Sequence, residues 1–183
     1  MVWPGGLLLS ASVSLALACS DDGPPTDQSQ PGIGVWDPRA PLLSARQEMP
    51  SALVNGRIYT PGGFDAQGAT VATLEIYDVA ADRWTTGTSM PEGRNHPGVV
   101  AAGGLIFVTG GYPTAGPPSA SVFAFNPQLQ TWTPRRAMPA ARAAHVTVES
   151  GGKIYAIGGV STGGVVGTNE VYDPATDRWS TVA

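Results

Sequence analysis

Cysteine is almost missing from this chain: Cys19 is the only one in 183 residues. No intramolecular disulfide can form, and no cysteine-based metal cluster can be built. Charge is scarce as well. Only 13% of residues are charged, and 10 Lys and Arg stand against 14 Asp and Glu for a net charge of −4. That balance excludes the basic footprint of a nucleic-acid binder and a polybasic membrane patch. There are two histidines, and neither sits in an H-x-E or H-E-x-x-H arrangement. The apolar run Leu7–Ala18, LLLSASVSLALA, is twelve residues long, short of the roughly 20 helical residues that span a bilayer. What the chain has in quantity is glycine (24) and proline (17), with 42% apolar residues to build a core. Many short strands joined by turns are expected, rather than helices.

Length and position make Leu7–Ala18 the apolar stretch of an export signal. The residues that follow Cys19, SDDGPPTDQSQPG, are polar and proline-rich and suit a tether. The LALAC segment ending at Cys19 resembles a bacterial lipoprotein signal. That resemblance implies cleavage before Cys19, lipid attachment there, and an exported protein on the periplasmic or extracellular side of the cell envelope. The implied organisation is a signal peptide over 1–18, a tether over 19–32 and a repeat region over 33–183. The lipid anchor would be the chain's sole contact with a membrane.

Self-similarity dominates the remainder. Tryptophans fall at Trp36, Trp84, Trp132 and Trp179, spaced 48, 48 and 47 apart. Arg46, Arg94 and Arg142 recur every 48 residues, as do the pairs Gly62-Gly63, Gly110-Gly111 and Gly158-Gly159. Tyr59, Phe107 and Tyr155 stand four residues before the second glycine of each pair, and Tyr77, Phe125 and Tyr172 stand seven before each following tryptophan. Each unit reads as four strands, with the repeats running over about 37–84, 85–132 and 133–179. Asp173-Pro174 and Asn126-Pro127 begin turns before the tryptophan strands. The loops after the glycine pairs, FDAQGATVA, YPTAGPPSA and VSTGGVVGT, differ in every unit. One such sheet cannot bury both its faces, and radial stacking of several, a β-propeller, does so.

The glycine pair, the spaced Tyr and Trp, and the preceding segments SMPEGR (Ser89–Arg94), AMPAAR (Ala137–Arg142) and the looser LLSAR (Leu42–Arg46) together resemble the kelch repeat. The resemblance implies an all-β, kelch-type propeller segment of three four-stranded blades, with the post-arginine strand innermost and the tryptophan strand outermost. Kelch propellers usually have six or seven blades. GVWDPRAPLLSAR, around Trp36, reads as an orphan outer strand with no three strands before it. Two chains could pair to give six blades with a surplus strand on each. The ring is therefore expected to continue in three or four further repeats.

Some kelch propellers are copper oxidases that need a cysteine–tyrosine crosslink, and a lone Cys19 outside the repeats rules that class out. Others resemble sugar-acid mutarotases, for which Arg46, Arg94, Arg142, His96, His145 and Glu48 would be the candidates. His96 follows its arginine by two residues and His145 by three. In period-two strands they point to opposite faces, which disfavours a shared metal site or proton relay. The arginines can be read as a guanidinium ring for carboxylate ligands or as donors tying one blade to the next, and recurrence in every unit favours the second. Asp82 and Asp177 read as turn residues, and Glu75 and Glu170 match each other while Phe123 breaks their series. Phe64, Asp65 and Tyr112 are the only plausible anchors in the variable loops, where binding specificity is expected. The expectation is a non-catalytic binding module for protein or carbohydrate, with no cofactor, no metal and no nucleic acid. The alternative is a mutarotase-like enzyme completed by further blades.

Overall fold

The structure, a computed structural model, describes residues 36–182. The signal segment, Cys19 and the tether expected over 1–32 lie outside the described residues. Residues 38–183 form one compact unit.

The first sheet is preceded by a short strand, β1 (Arg46–Gln47). It contains β2 (Ala52–Val54), β3 (Arg57–Pro61), β5 (Leu74–Asp78) and β6 (Arg83–Gly87), and the loop strand β4 (Phe64–Asp65) pairs with β1. The second sheet is β7 (Gly98–Ala102), β8 (Leu105–Thr109), β9 (Val122–Asn126) and β10 (Thr131–Arg135). The third is β11 (Val146–Ser150), β12 (Lys153–Ile157), β15 (Asn169–Asp173) and β16 (Arg178–Val182), with a small hairpin of β13 (Val160–Ser161) and β14 (Gly164–Val165) in its loop. Within each sheet, consecutive strands pair antiparallel. No helix occurs among the described residues. This is the all-β arrangement of three four-stranded blades expected from the repeats.

Local chemistry fixes each sheet. The innermost two strands turn through Asn55-Gly56, Gly103-Gly104 and Gly151-Gly152, with φ values of 50 and 73, 55 and 78, and 60 and 78°. Positive φ at both positions is the two-residue hairpin geometry whose twist matches the flanking strands. The outer hairpin turns on Asp82, Gln130 and Asp177, again at positive φ.

Stacking of the sheets creates two cores. One gathers Ala52, Val54, Tyr59 and Ile76 from the first sheet with Val99, Ile106, Val108 and Phe125 from the second. The other joins Ala102, Phe107, Val122 and Ala124 to Ile154, Ala156 and Tyr172. Large side chains buried this way each contribute about 1.5–3 kcal/mol. So the faces that meet between the sheets are covered by the neighbouring sheet, not by loops.

Trp132 and Trp179 pack at the rim of the two cores, and all three repeat tryptophans are half-exposed and make one specific bond each. Trp84 donates its Nε1–H to Ala40 O (2.8 Å), Trp132 to Thr88 O (2.8 Å) and Trp179 to Arg136 O (2.9 Å). Their rings lie 4.9–5.1 Å from Tyr77, Phe125 and Tyr172 across the strand pair. Behind this contact, the Tyr77 and Tyr172 hydroxyls donate to Asp82 and Asp177 Oδ1, both at 2.6 Å. Those bonds, first among the causes, hold both carboxyls below the usual carboxylate range. The same oxygens accept the backbone N–H of Ala40 and Arg136. The two aspartates are thus turn residues, as expected, and also ties to the incoming chain. In the second unit Phe125 has no hydroxyl, and Gln130 stands in place of the aspartate.

The orphan outer strand does not form among the described residues: residues 36–45 contain no strand, and Trp36 is 91% exposed. A strand needs an open neighbouring edge, and the third strand of every described sheet already carries its own tryptophan strand.

Candidate functional site

The chain approaches each blade through its arginine, which is where a ligand-binding ring was one expectation. The three side chains are 0–2% exposed. Arg46 Nη1 donates to Gly62 O (2.9 Å) and Thr73 O (3.2 Å), and Nη2 lies 3.4 Å from Glu75 Oε1. Arg142 repeats this with Gly158 O (3.0 Å), Thr168 O (2.9 Å) and Glu170 Oε1 (3.0 Å). In the second unit Phe123 replaces the glutamate, and Arg94 takes its carboxylate from Glu92, two residues earlier, with Ser121 Oγ at 2.8 Å. The arginine main chain meanwhile docks on the preceding blade: Gly63 N–H donates to Arg94 O (2.7 Å) and Gly111 N–H to Arg142 O (2.9 Å). A Cβ on Gly62 or Gly110 would come within 2.3 or 2.2 Å of those carbonyls, hence glycine there. Arg94 and Arg142 each join two blades through backbone and side chain together, and all three guanidinium groups are buried away from any ligand.

Two residues after each arginine the chain takes positive φ: Glu48 (55°), His96 (51°) and Ala144 (51°). These positions are therefore not in strands, so the period-two argument does not apply to His96. They are linked by backbone bonds, His96 N–H to Glu48 O (3.2 Å) and Ala144 N–H to His96 O (2.9 Å). The residue immediately after each arginine pairs with the residue after the glycine pair: Gln47 with Phe64, Asn95 with Tyr112, Ala143 with Val160.

This register brings Phe64 and Tyr112 both against His96. Both rings meet the imidazole edge to face at 6.0 Å. His96 Nδ1 lies 2.8 Å from Asn95 Oδ1, and Nε2 lies 3.2 Å from Glu48 Oε2. A cleft of about 480 Å³ opens between the loops, lined by Phe64, Thr70, Asn95, His96, Tyr112 and Pro113. A second hollow of about 390 Å³ also borders His96, with Glu48, Met49 and Ala144. The corresponding junction of the second and third blades has Ala144 and Val160 instead, and no aromatic cluster. Asp65, the third expected anchor, is engaged in its own loop, where Oδ1 accepts the Gln67 and Ala69 N–H groups.

His145 belongs elsewhere. It is 7% exposed between the second and third blades, with Nε2 2.8 Å from Thr109 Oγ1. Burial, reinforced by the charge of Arg142, lowers its pKa to about 4, so it is neutral at pH 7. The two histidines share no site, and no group of three or more metal-ligating side chains occurs among the described residues. Sequence reasoning missed Asn95 and the meeting point at His96; the common 48-residue offset of Gln47/Asn95 and Phe64/Tyr112 was the available signal.

Three stacked sheets, interlocked by recurring arginines and carrying a loop-built cleft on one end, define a β-propeller segment. The chain belongs to the kelch family: the family model described as Kelch motif matches residues 45–91, 93–139 and 141–183. It is 40% identical over 65 residues to Kelch-like protein terF of Aspergillus terreus, a match covering 33% of this chain and 14% of that protein. It is 36% identical over 63 residues to Kelch-like protein 36 of Bos taurus (34% and 10%) and 37% identical over 57 residues to Beta-scruin of Limulus polyphemus (31% and 6%). The matched segments are thus small parts of much longer relatives. A solved structure, "Structure of YjhT", superposes with a TM-score of 0.67 at 21% identity, covering 80% of this chain and 53% of that one. At that identity the likeness is one of fold.

Proposed function

We propose that this chain is a non-catalytic binding module that grips a protein segment through an apolar or aromatic side chain inserted into the cleft lined by Phe64, His96 and Tyr112. The observation that carries this reading is the cleft around His96, the one place among the described residues where two variable loops bring aromatic rings together. Its polar groups are few, and the Asn95 amide already donates to Thr70 Oγ1 (2.7 Å). A carbohydrate would bring several hydroxyl groups needing partners, and each one buried without a partner costs about 1–3 kcal/mol. A peptide side chain needs none. Glu48 and His96 are the acid–base groups that a mutarotase-like reading would use, and that reading needs further polar groups from elsewhere.

Screening the purified protein against peptide and glycan arrays tests the choice. Peptides with a large apolar residue should be selected, and Phe64→Ala and Tyr112→Ala should each weaken binding about tenfold or more, since aromatic anchors in pockets dominate such interfaces. Binding untouched by both substitutions, or hits confined to glycans, would overturn it.

The proposal extends to export and lipid anchoring at Cys19, supported by the Leu7–Ala18 run and the polar tether after it. Cells fed a clickable fatty acid should label the wild-type protein and leave Cys19→Ser unlabelled. A labelled Cys19→Ser protein would remove the anchor from the proposal.

A further inference from the structure

His96 sits where the two loops of the cleft meet, and its backbone is held from both sides. Its N–H donates to Glu48 O (3.2 Å), and its carbonyl accepts the Ala144 N–H (2.9 Å). That leaves the imidazole as the part free to turn. The ring bears on both aromatic walls of the cleft, Phe64 and Tyr112. At the next junction the equivalent residue is Ala144, with the same backbone conformation and no group to titrate. The stacking of blades therefore needs no histidine at this position.

The hydrogen bonds around the ring specify its charge. The Asn95 amide donates through Nδ2 to Thr70 Oγ1 (2.7 Å) and to the Tyr112 carbonyl (3.4 Å). A carbonyl only accepts, so the amide nitrogen is fixed on that side and Oδ1 is turned to His96. His96 Nδ1, 2.8 Å from this oxygen, must then carry a proton. Nε2 lies 3.2 Å from Glu48 Oε2, and a carboxylate likewise only accepts. A neutral imidazole has one N–H and cannot serve both partners, whereas the imidazolium has two. Once neutral, the ring turns a bare lone pair to Glu48 and that contact is lost. Glu48 is the one charged side chain facing the imidazole among the described residues. Tyr112 is the other titratable group against it, in ring-to-ring contact. Asp65, beside Phe64, is tied into its own loop, and the guanidinium groups of Arg46, Arg94 and Arg142 turn into their blades.

We propose that the charge on His96 sets the shape of the cleft. The imidazolium, clamped between Glu48 and Asn95, holds Phe64 and Tyr112 in the arrangement that forms it, and loss of the proton lets the ring turn and the walls shift. Histidine ordinarily changes charge between pH 5 and 8, so the switch works near neutrality. For affinity, the proposal rests on the peptide-binding reading above: a protein segment that fits the cleft binds the charged form better. Binding then takes up a proton, so affinity is highest in mild acid and falls as pH rises. The Glu48 contact is half-exposed, so the fall is about three- to fivefold.

Nuclear magnetic resonance of the ligand-free full chain between pH 5.5 and 8.5 tests the switch directly. His145, the only other histidine, has a pKa of about 4 and stays neutral throughout, which leaves the histidine signal to His96. The ring resonances of Phe64 and Tyr112 should move with the His96 imidazole on one titration curve. Glu48→Gln should shrink that movement and leave the circular dichroism of the sheets unchanged. Rings that stay still while His96 titrates would overturn the proposal, as would movement of full size in Glu48→Gln. A peptide with a large apolar residue, taken from the array, should lose about three- to fivefold in affinity from pH 5.5 to 8.5, and Glu48→Gln should flatten that dependence. Peptide affinity indifferent to pH would also overturn it. Absence of binding at every pH, with the rings still titrating together, would sink the binding reading and leave the switch standing.

Discussion

Replacing Glu170 with alanine is expected to lower the unfolding free energy by about 3–5 kcal/mol, the usual cost of stranding one member of a buried ion pair. Glu170 is 4% exposed and Arg142 0%. Their 3.0 Å contact is the only one through which the Arg142 guanidinium meets a carboxylate among the described residues. Two backbone carbonyls would remain on the arginine, but no anion would. Because that guanidinium sits at the tops of β12 and β15 while the Arg142 carbonyl holds Gly111 of the second sheet, the loss should spread across the blade junction. Urea unfolding of the variant at neutral pH is the measurement. Glu170→Gln, which keeps an acceptor, should lose clearly less. Replacing Arg142 and Glu170 together by Met and Leu should cost less than the two single changes added, since a vacated pair leaves no unpaired charge. A loss below about 1 kcal/mol for Glu170→Ala would mean that the pair behaves like a surface contact.

The second large effect is in pH. His145 has a folded pKa of about 4 against 6.5 for the ordinary group. Between those values the unfolded chain binds a proton that the folded chain refuses, so stability falls as pH drops through that window and levels off below it. At about 1.4 kcal/mol for each pH unit between the two values, the whole window removes about 3 kcal/mol. Asp82 and Asp177, whose folded carboxyls titrate below the ordinary aspartate value of 3.8, contribute stability that is lost only as pH falls below that value. The two windows are therefore separable. Melting temperatures measured from pH 7.5 down to 4.5 should decline for the wild type. His145→Gln, which retains a polar group facing Thr109, should show a markedly flatter slope over the same range. Parallel slopes would locate the acid sensitivity elsewhere.

Much of this was legible in the residue order, and the reason is physical. Asn55-Gly56 and the two later glycine pairs at equivalent turns admit few geometries, so the inner hairpins could be read directly. The tryptophan spacing counts blades because every blade needs the same rim contact. The arginines were legible as structural elements through their recurrence. Their carboxylate partners were half-hidden, because in the second unit Glu92 takes over from the position where Phe123 stands, and only the folded chain brings position 92 to the guanidinium. The cleft was the least legible feature. Phe64 and Tyr112 could be named from their loops, but their convergence on His96 depends on the left-handed backbone at Glu48, His96 and Ala144. Nothing in those three side chains announces it, since none is a glycine or an asparagine. The Trp36 segment shows the same dependence: a strand-like pattern becomes a strand only where a neighbour leaves an edge open, and in the three described sheets the third strand leaves none.

The double attachment of the arginines also bears on how such proteins can be recombined. A sequence repeat begins near its arginine, yet that residue's carbonyl is bound to the sheet before it and its guanidinium to the sheet after. The seam between interchangeable cassettes thus does not fall at the repeat boundary. A blade grafted into another ring would have to bring its own arginine, its carboxylate (from position 75, 92 or 170, according to the unit) and the matched pair of Tyr with Asp or Phe with Gln. The host would have to supply the preceding glycine pair. Shuffling that respects these couples should yield closed rings, and shuffling that cuts between arginine and carboxylate should yield none.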